Sequence, residues 1–290
     1  MTEPTAGGTL YLVATPIGNL GDVTFRAIEV LGSVPLIAAE DTRVTRRLLS
    51  RYEIATRSVS YHAKSDARRL SELVAHLHGG ADLALVTDAG TPTVSDPGSE
   101  LAAAWAAEGG RVEAIPGASA VLVAVAASGI AGPRWVFEGF LPRSGSDRRE
   151  RLARLATDER GAVIFETPRR LAATLRDLVA ACGSDRPAAV CRELTKLHEQ
   201  VLRLPLGELA DAVEAGAVPV LGEAVIVLGW GVGFDLPAAT PASGPGDLIA
   251  ALERVEVLVG SGIARGEAAR RVAAETGMAR RALYRVAPGD

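Results

Sequence analysis

The sequence predicts an α/β protein of two domains followed by a small helical tail. Short apolar runs alternate with stretches of helical periodicity from the N-terminal end, and a second set of strands and helices follows the first. Residues 232–246 are then rich in Gly, Pro and Ala, the composition of a linker. The resulting division is 1–117 and 118–231 for the two α/β domains, 232–246 for the linker and 247–290 for the tail, which suits a chain of 290 residues.

Taken in order, Thr9–Ala14 reads as a strand entering the loop Thr15–Asp22, after which Phe25, Ile28 and Leu31 share one helical face. Leu36–Ala39 is a second strand, ending in Glu40-Asp41. Ser65 is placed to cap a helix whose inward face is Leu70, Leu73, Val74 and Leu77. Leu83–Thr87 is a strand feeding the Gly/Pro-rich loop Asp88–Gly98, and Asp96-Pro97 is set to start the next helix, with aspartate as cap and proline in the first turn. Arg111–Ile115 completes a mostly parallel set. The second set has strands near 135–140, 162–166, 188–192, 199–204 and 223–228, and the close spacing of the last ones predicts a mixed sheet. In the tail, Glu267–Ala274, Thr276-Gly277-Met278 and Ala279–Val286 follow a helix, glycine turn, helix layout that favours nucleic acid or packing on a partner.

Hydrophobic residues make up 48% and charged residues 23% of the chain, enough for a core that needs neither disulfide nor metal. The net charge of −4 excludes a uniformly basic nucleic-acid binder, so an RNA site has to be a local patch. Lys64 and Lys196 are the only lysines, and arginine supplies the remaining positive charge. Cys182 and Cys191 lack metal-ligand spacing and fit a reducing cytosol. The first residues lack the basic start and apolar core of a signal peptide. Residues 114–133 are uncharged, but Pro116, Gly117 and Gly129 interrupt them, which suits a buried loop and helix better than a bilayer span. The expectation is a cytoplasmic protein without a membrane segment.

The loops Thr15–Asp22, Asp88–Gly98 and Pro116–Ala120 leave the carboxyl ends of strands, where open α/β sheets bind ligands. Taken singly, such a loop is usually only a turn. None fits the dinucleotide fingerprint or the phosphate loop, and His198-Glu199 lacks the second histidine of a zinc helix, so no metal is expected. Basic clusters occur at Arg43, Arg46 and Arg47, at Arg143, Arg148 and Arg149, at Arg169 and Arg170, and at Arg280 and Arg281. Each could be a solvated face or a track for phosphates.

The ordered segments Thr15-Pro-Ile-Gly-Asn-Leu-Gly-Asp22, Ala39-Glu-Asp-Thr-Arg43, Ser60-Tyr-His62, Asp88-Ala-Gly-Thr-Pro92 with Ser95-Asp-Pro-Gly98, and Arg192-Glu-Leu-Thr-Lys196 carry a resemblance. Over roughly residues 9–231 the chain resembles the small-subunit rRNA (cytidine-2′-O)-methyltransferases of the tetrapyrrole methylase superfamily. It departs from their pattern at Ala118, where proline is usual, and in Phe165–Arg169, where Tyr-Glu-Ser-Pro-His is usual.

The resemblance implies a cleft for S-adenosylmethionine between two α/β domains, commonly in a homodimer. It also implies methylation of one cytidine ribose in the decoding region of small-subunit rRNA, either naked or in the subunit. Pro16, Gly90, Thr91, Pro92, Val94, Ser119, Ala120, Glu166 and Ala224 correspond to cofactor-contacting positions. Lys196, His62, Glu166 and Asp41 are the candidates for activating the hydroxyl or stabilising its developing charge, with Glu40 beside them; the plainer reading is that Glu40 and Asp41 pair with Arg43. The arginine clusters would track the RNA backbone. A corrin or porphyrin methylase on the same fold, a ligand-reading DNA-binding regulator and an inactive cofactor-binding scaffold are the rival readings.

Overall fold

The computed structural model describes residues 7–63, 65–231, 245–276 and 283. The chain divides into two compact units, residues 1–234 and 235–290, and both predicted sheets lie in the first.

The first sheet contains β1 (Leu10–Val13), β2 (Leu36–Ala39), β3 (Ser58–Ser60), β4 (Leu83–Val86) and β5 (Val112–Ile115) in the order β3-β2-β4-β1-β5. Every pairing is parallel. Helices α1 (Phe25–Ser33) and α2 (Thr42–Arg51) pack with Val13, Ile37 and Val86 on one face. Helices α3 (Ala67–His78) and α4 (Ser99–Ala107) pack with Leu10, Leu83 and Leu85 on the other. Burial on both faces is why these strands read as unbroken apolar runs rather than as alternation.

Local chemistry corrects several expectations. Strand β3 was not anticipated, because a half-buried Ser-Val-Ser edge presents no apolar run. Asp66, not Ser65, caps α3 by accepting from Arg69 N at 2.9 Å, while Ser65 Oγ accepts from His62 N. Helix α4 begins at Ser99 behind Gly98, which leaves Asp96 free of the capping role. Phe25 is 88% exposed, and Ala27 and Leu31 form the inward face of α1.

The second sheet contains β6 (Trp135–Phe140), β7 (Gly161–Glu166), β8 (Pro187–Arg192), β9 (Gln200–Pro205) and β10 (Ala224–Leu228), ordered β6-β7-β10-β8-β9. It is mixed, as the spacing predicts: β6 and β7 are parallel, and β10 runs antiparallel to β7 and β8. Helices α6 (Ser146–Thr157), α7 (Pro168–Cys182) and α8 (Leu206–Glu214) cover the face bearing Ile164, Val190 and Ile226. The uncharged segment forms α5 (Ala120–Ser128), which packs on the opposite face against β7, β8, β9 and β10.

In the second unit, α9 (Pro245–Gly260) and α10 (Arg265–Thr276) pack through Val255, Ala268 and Val272, with Leu283 in the same cluster. Apart from Leu283, the predicted helix at 279–286 lies outside the described residues, as do Arg280 and Arg281. Among the described residues no helix is long and apolar enough to cross a membrane.

One buried arginine ties the second sheet to its helices. Arg186 donates from Nη1 to Leu155 O at 2.9 Å, from Nη2 to Asp158 O and Arg160 O at 3.2 and 2.7 Å, and from Nε to Gly229 O at 3.2 Å. Arg186→Ala strands several buried carbonyls and is expected to destabilise the protein by about 2–4 kcal/mol. Lysine cannot reproduce the planar fork, so Arg186→Lys should recover little of it. Urea denaturation of both variants checks this, and a loss under about 1 kcal/mol would refute it.

Candidate active site

The order of the first sheet creates a crevice. From β1 the chain moves to β2 and β3 through helices on one face, and from β4 it moves to β5 through α4 on the other. The loops after neighbouring β1 and β4 therefore diverge, which is the switch point where doubly wound sheets bind ligands. A backbone bridge fixes their roots: Thr15 N donates to Gly90 O at 2.8 Å and Gly90 N to Thr15 O at 3.0 Å.

The loop after β4 is tightly constrained. Gly90, Thr93, Ser95 and Gly98 have left-handed φ of 82°, 74°, 65° and 120°. A Cβ at Gly98 would lie 2.3 Å from Leu85 Cδ2, so only glycine lets the loop press onto the sheet. Across the crevice β6 shifts register between Phe137 and Gly139, and a Cβ at Gly139 would come within 3.0 Å of Ser95 Oγ.

A cleft of about 360 Å³ results. Ile17, Gly90, Thr91, Val94, Ser95 and Asp96 line it from the first sheet, and Ser119 and Ala120 from the N-terminus of α5. Phe140, Phe165, Glu166, Glu223 and Ala224 close it from the second sheet. The structure thus brings together predicted Gly90, Thr91, Val94, Ser119, Ala120, Glu166 and Ala224. Pro16 and Pro92 are buried behind the lining and shape the loops instead. Sequence reasoning missed Ile17, Asp96, Phe140 and Glu223. Phe140 was findable as the last residue of its strand, whereas Asp96 was misassigned to helix capping.

The candidate polar residues separate by environment. Asp41 caps α2 by accepting from Arg43 N at 2.8 Å and pairs with that guanidinium at 2.6 Å. The Arg43 hydrogen bonds hold its carboxyl down at about 2. That makes Asp41 a cap and ion-pair partner, too weak a base to accept a proton near neutral pH. Glu40 does not pair with Arg43; its Oε2 accepts from Asp88 N at 3.2 Å. Glu166 is buried, and its oxygens accept from Thr167 N and Thr174 Oγ1 at 2.8 and 2.7 Å, with Arg170 at 3.3 Å.

Lys196 Nζ donates to Glu193 Oε1 and Glu223 Oε2, both at 2.8 Å. Its stem lies against Gly18 in the first loop, where a Cβ would be 2.4 Å from Lys196 Cγ. Burial works against its charge, but hydrogen bonds to Glu193 and Glu223 outweigh burial and raise its pKa. Lys196 is therefore a held cation, outside the cleft lining but paired with the lining residue Glu223, and not a base. His62 lies elsewhere, in a second pocket of about 360 Å³ with Tyr61, Asp66 and Glu100, for which Asp96 forms a shared wall.

Arg43, Arg46 and Arg47 are exposed on α2, and Arg143, Arg149 and Arg169 are exposed around α6 and the start of α7. Arg148 is the exception: it is 8% exposed and donates to Asp177 Oδ2, Thr174 Oγ1 and Pro142 O. Its guanidinium locks α6 to α7 and is not offered to a phosphate. Arg170 is half-buried, turned toward Leu141 O and Glu166. Among the described residues no group of three or more His, Cys, Asp or Glu could hold a metal ion.

The tetrapyrrole (corrin/porphyrin) methylase family matches residues 9–210. The chain belongs to this methylase family. Within it, the ribosomal RNA small subunit methyltransferase I of Synechocystis sp. is 45% identical, with 96% of this chain and 97% of that protein covered. The protein of the same name from Mycobacterium tuberculosis is 42% identical over 96% of this chain and 94% of its own. Among solved structures, a cobalt precorrin-4 methyltransferase has a TM-score of 0.60 at 18% identity, covering 81% of this chain and 99% of that one. The uroporphyrin-III C-methyltransferase of Thermus thermophilus, complexed with S-adenosylhomocysteine, has a TM-score of 0.56 at 20% identity over 77% of this chain and 97% of its own. These structural likenesses show the fold.

The methylase uses S-adenosylmethionine, and its cleft suits that molecule. Phe165 meets Phe140 and Phe137 edge-on at 5.6 and 4.9 Å between centroids, an apolar wall for a flat base. Asp96, Glu166 and Glu223 give negative charge to a cleft that must hold a sulfonium and an ammonium. Its volume lies within the usual range for small-molecule sites. Removing the exposed half of the wall with Phe140→Ala should weaken S-adenosylhomocysteine binding about tenfold by calorimetry. Unchanged affinity would place the base elsewhere.

Proposed function

We propose that this methylase transfers a methyl group from S-adenosylmethionine to the 2′-hydroxyl of a cytidine in the decoding region of small-subunit rRNA. The observation that carries this reading is identity of 45% over 96% of the chain with a relative named for the small ribosomal subunit. The exposed arginines support it by giving an acidic protein local basic surfaces. In this reading the enzyme acts in the cytoplasm on the small subunit or its rRNA, and a homodimer is the assembly that the family resemblance implies.

In this reading Gly90, Thr91, Val94, Ser119, Ala120, Glu166 and Ala224 hold the cofactor, while Pro16 and Pro92 fix the loops behind it. When bound, the cofactor supplies an electrophilic methyl group on sulfur. The protein excludes water and aligns the attacking oxygen, a contribution on the order of 7–11 kcal/mol. Lys196, held as a cation by Glu193 and Glu223, stabilises charge developing on that oxygen. Arg43, Arg46 and Arg47, with Arg143, Arg149 and Arg169, lie along RNA phosphates, and the tail bearing Arg280 and Arg281 adds a clamp.

Incubation with methyl-labelled S-adenosylmethionine and small subunits from cells lacking the activity should place label on a cytidine ribose. Label on a tetrapyrrole instead would reassign the substrate. Lys196→Ala should lower turnover about 100-fold while cofactor affinity is retained; full turnover would remove lysine from this role. A chain ending at residue 234 should keep S-adenosylhomocysteine affinity and bind rRNA at least about tenfold more weakly. Unchanged RNA affinity in the truncated protein would count against the clamp.

A further inference from the structure

A basic cavity of about 530 Å³ lies between the loop after β6 and the first turns of α7, lined by Arg143, Arg148, Thr167, Arg169, Arg170 and Asp177. Four guanidinium groups thus face one carboxylate. Two of them are already committed. Arg148 donates to Asp177 Oδ2 and Thr174 Oγ1 at 2.7 and 3.1 Å, and Arg170 turns to Leu141 O at 3.0 Å and Glu166 Oε2 at 3.3 Å. Arg143 and Arg169 are exposed, and among the described residues they enter no ion pair and no side-chain hydrogen bond. Arg154 and Arg176 on the same two helices, by contrast, pair with Glu150 and Glu214.

The start of α7 adds to this field. Thr167 makes no side-chain cap hydrogen bond, and the first turn of the helix holds no acid. Glu166 lines the neighbouring cleft and not this cavity. Two unpaired guanidinium groups beside the positive end of a helix favour an oxyanion. The cavity also adjoins the cofactor cleft, because Thr167 borders both. The wall there is held from the cavity side: Glu166 accepts from Thr174 Oγ1 at 2.7 Å, and the same hydroxyl receives Arg148.

We propose that this cavity seats one backbone phosphodiester of the acceptor RNA strand beside the methyl-transfer cleft, gripped by Arg143 and Arg169. This rests on the proposed rRNA methylation and deepens it, assigning these two arginines to a single phosphate instead of a diffuse track. Guanidinium forks match the non-bridging oxygens of a phosphodiester, while Arg148 and Arg170 keep the floor positive without leaving their partners. Such a contact fixes register and orientation and reads no base. A phosphate held next to the cleft sets where the attacking hydroxyl lies, so Arg143 and Arg169 are positioning residues. Arg46 and Arg47 on α2 line neither this cavity nor the cleft and lack that effect.

The test compares full-length Arg143→Gln/Arg169→Gln, Arg169→Lys and Arg176→Gln with the parent on small subunits from cells lacking the activity. Arg176 is exposed on the same helix and lines neither cavity, so it controls for loss of surface charge. The double variant should bind subunits about tenfold more weakly and lose about 0.7–0.9 from the slope of log affinity against log salt, the share of one phosphate. At saturating S-adenosylmethionine it should raise KM and also lower kcat about tenfold through misalignment. Arg169→Lys keeps a point charge and should retain most of the affinity. Arg176→Gln should stay within about twofold of the parent throughout. Inorganic phosphate should raise the melting temperature of the parent and not of the double variant. Without phosphate the double variant should melt no lower than the parent, since both guanidinium groups are exposed and unpaired.

An equal loss in Arg176→Gln, or a slope change of about two phosphates, would overturn the single seat. A raised KM with unchanged kcat would overturn the positioning role. Stabilisation by inorganic phosphate with unchanged subunit binding would make this a free-anion site and overturn the RNA assignment. If the parent labels no rRNA, the underlying function fails and this proposal with it; if parent and double variant label rRNA with equal KM and kcat, only the proposal fails.

Discussion

The inward flank of the uncharged helix α5, where Val121, Ala124 and Ser128 are buried, organises the rest of the first unit. Its flank toward Val163, Ala189, Val225 and Val227 takes the face of the second sheet that α6, α7 and α8 leave open. Arg203 on β9 satisfies the last carbonyls of the helix, donating to Ser128 O at 2.8 Å and to Ala127 O. At the other end α5 follows β5 after only a short loop, and Gly117 runs so close to β1 that a Cβ there would meet Ala14 Cβ at 2.9 Å. One helix is thus fastened to the second sheet along its length and to the first sheet at its start. With both attachments made, Ser119 and Ala120 open into the cleft between the sheets, so the position of the site follows from where α5 must be buried.

Charge is divided between the inside of this cleft and the outside of the molecule. The lining gathers Asp96, Glu166 and Glu223, with Glu40 and Asp88 behind them, while the exposed surfaces of α2, α6 and the start of α7 carry arginine. A cationic cofactor and a polyanionic acceptor need opposite fields, and low-dielectric walls keep the inner field from being screened as the outer one is. The same division explains why net charge says little about this protein. A chain at −4 can still present local arginine-rich surfaces, although Asp41 pairs with Arg43 on α2 and Glu150 with Arg154 on α6.

The architecture was legible because both sheets are buried. Apolar runs such as Leu83–Val86 and Ala224–Leu228 declare strands whatever their neighbours do. Cleft-lining residues were legible through resemblance, since they sit in glycine, threonine and serine motifs that composition alone does not distinguish from turns. Residues whose role is set by tertiary contacts were not legible. Asp96-Pro97 carries a sound local signal for a helix start, yet the left-handed Ser95 and Gly98 delay the helix to Ser99. Arg148 looks in sequence like its exposed neighbour Arg149, and only the packing of α6 on α7 shows that it is committed to Asp177 and Thr174.

The distribution of backbone strain makes the same point about site and fold. Among the described residues, the non-glycine positions with left-handed φ are Glu53 and, in the loops flanking the cleft, Thr93, Ser95, Glu193 and Thr195. The first loop is pinned by the approach of Gly139 to Ser95. The second is pinned by Gly222, where a Cβ would lie 2.3 Å from Glu193 Oε1, and by the paired contacts of Lys196. The approaches of Gly139 to Ser95 and of Gly222 to Glu193, and the pairing of Lys196 with Glu223, join residues distant in sequence, so neither loop conformation is set by its own residues alone. The first depends on the approach of the two sheets and the second on the pairing of β8 with β10, and they in turn fix Asp96 in the cleft lining and Lys196 beside Glu223. The charged groups around the cleft are therefore held by contacts that exist only once the strands beneath them have paired, and the strain in the loops is offset by the burial of the cores below.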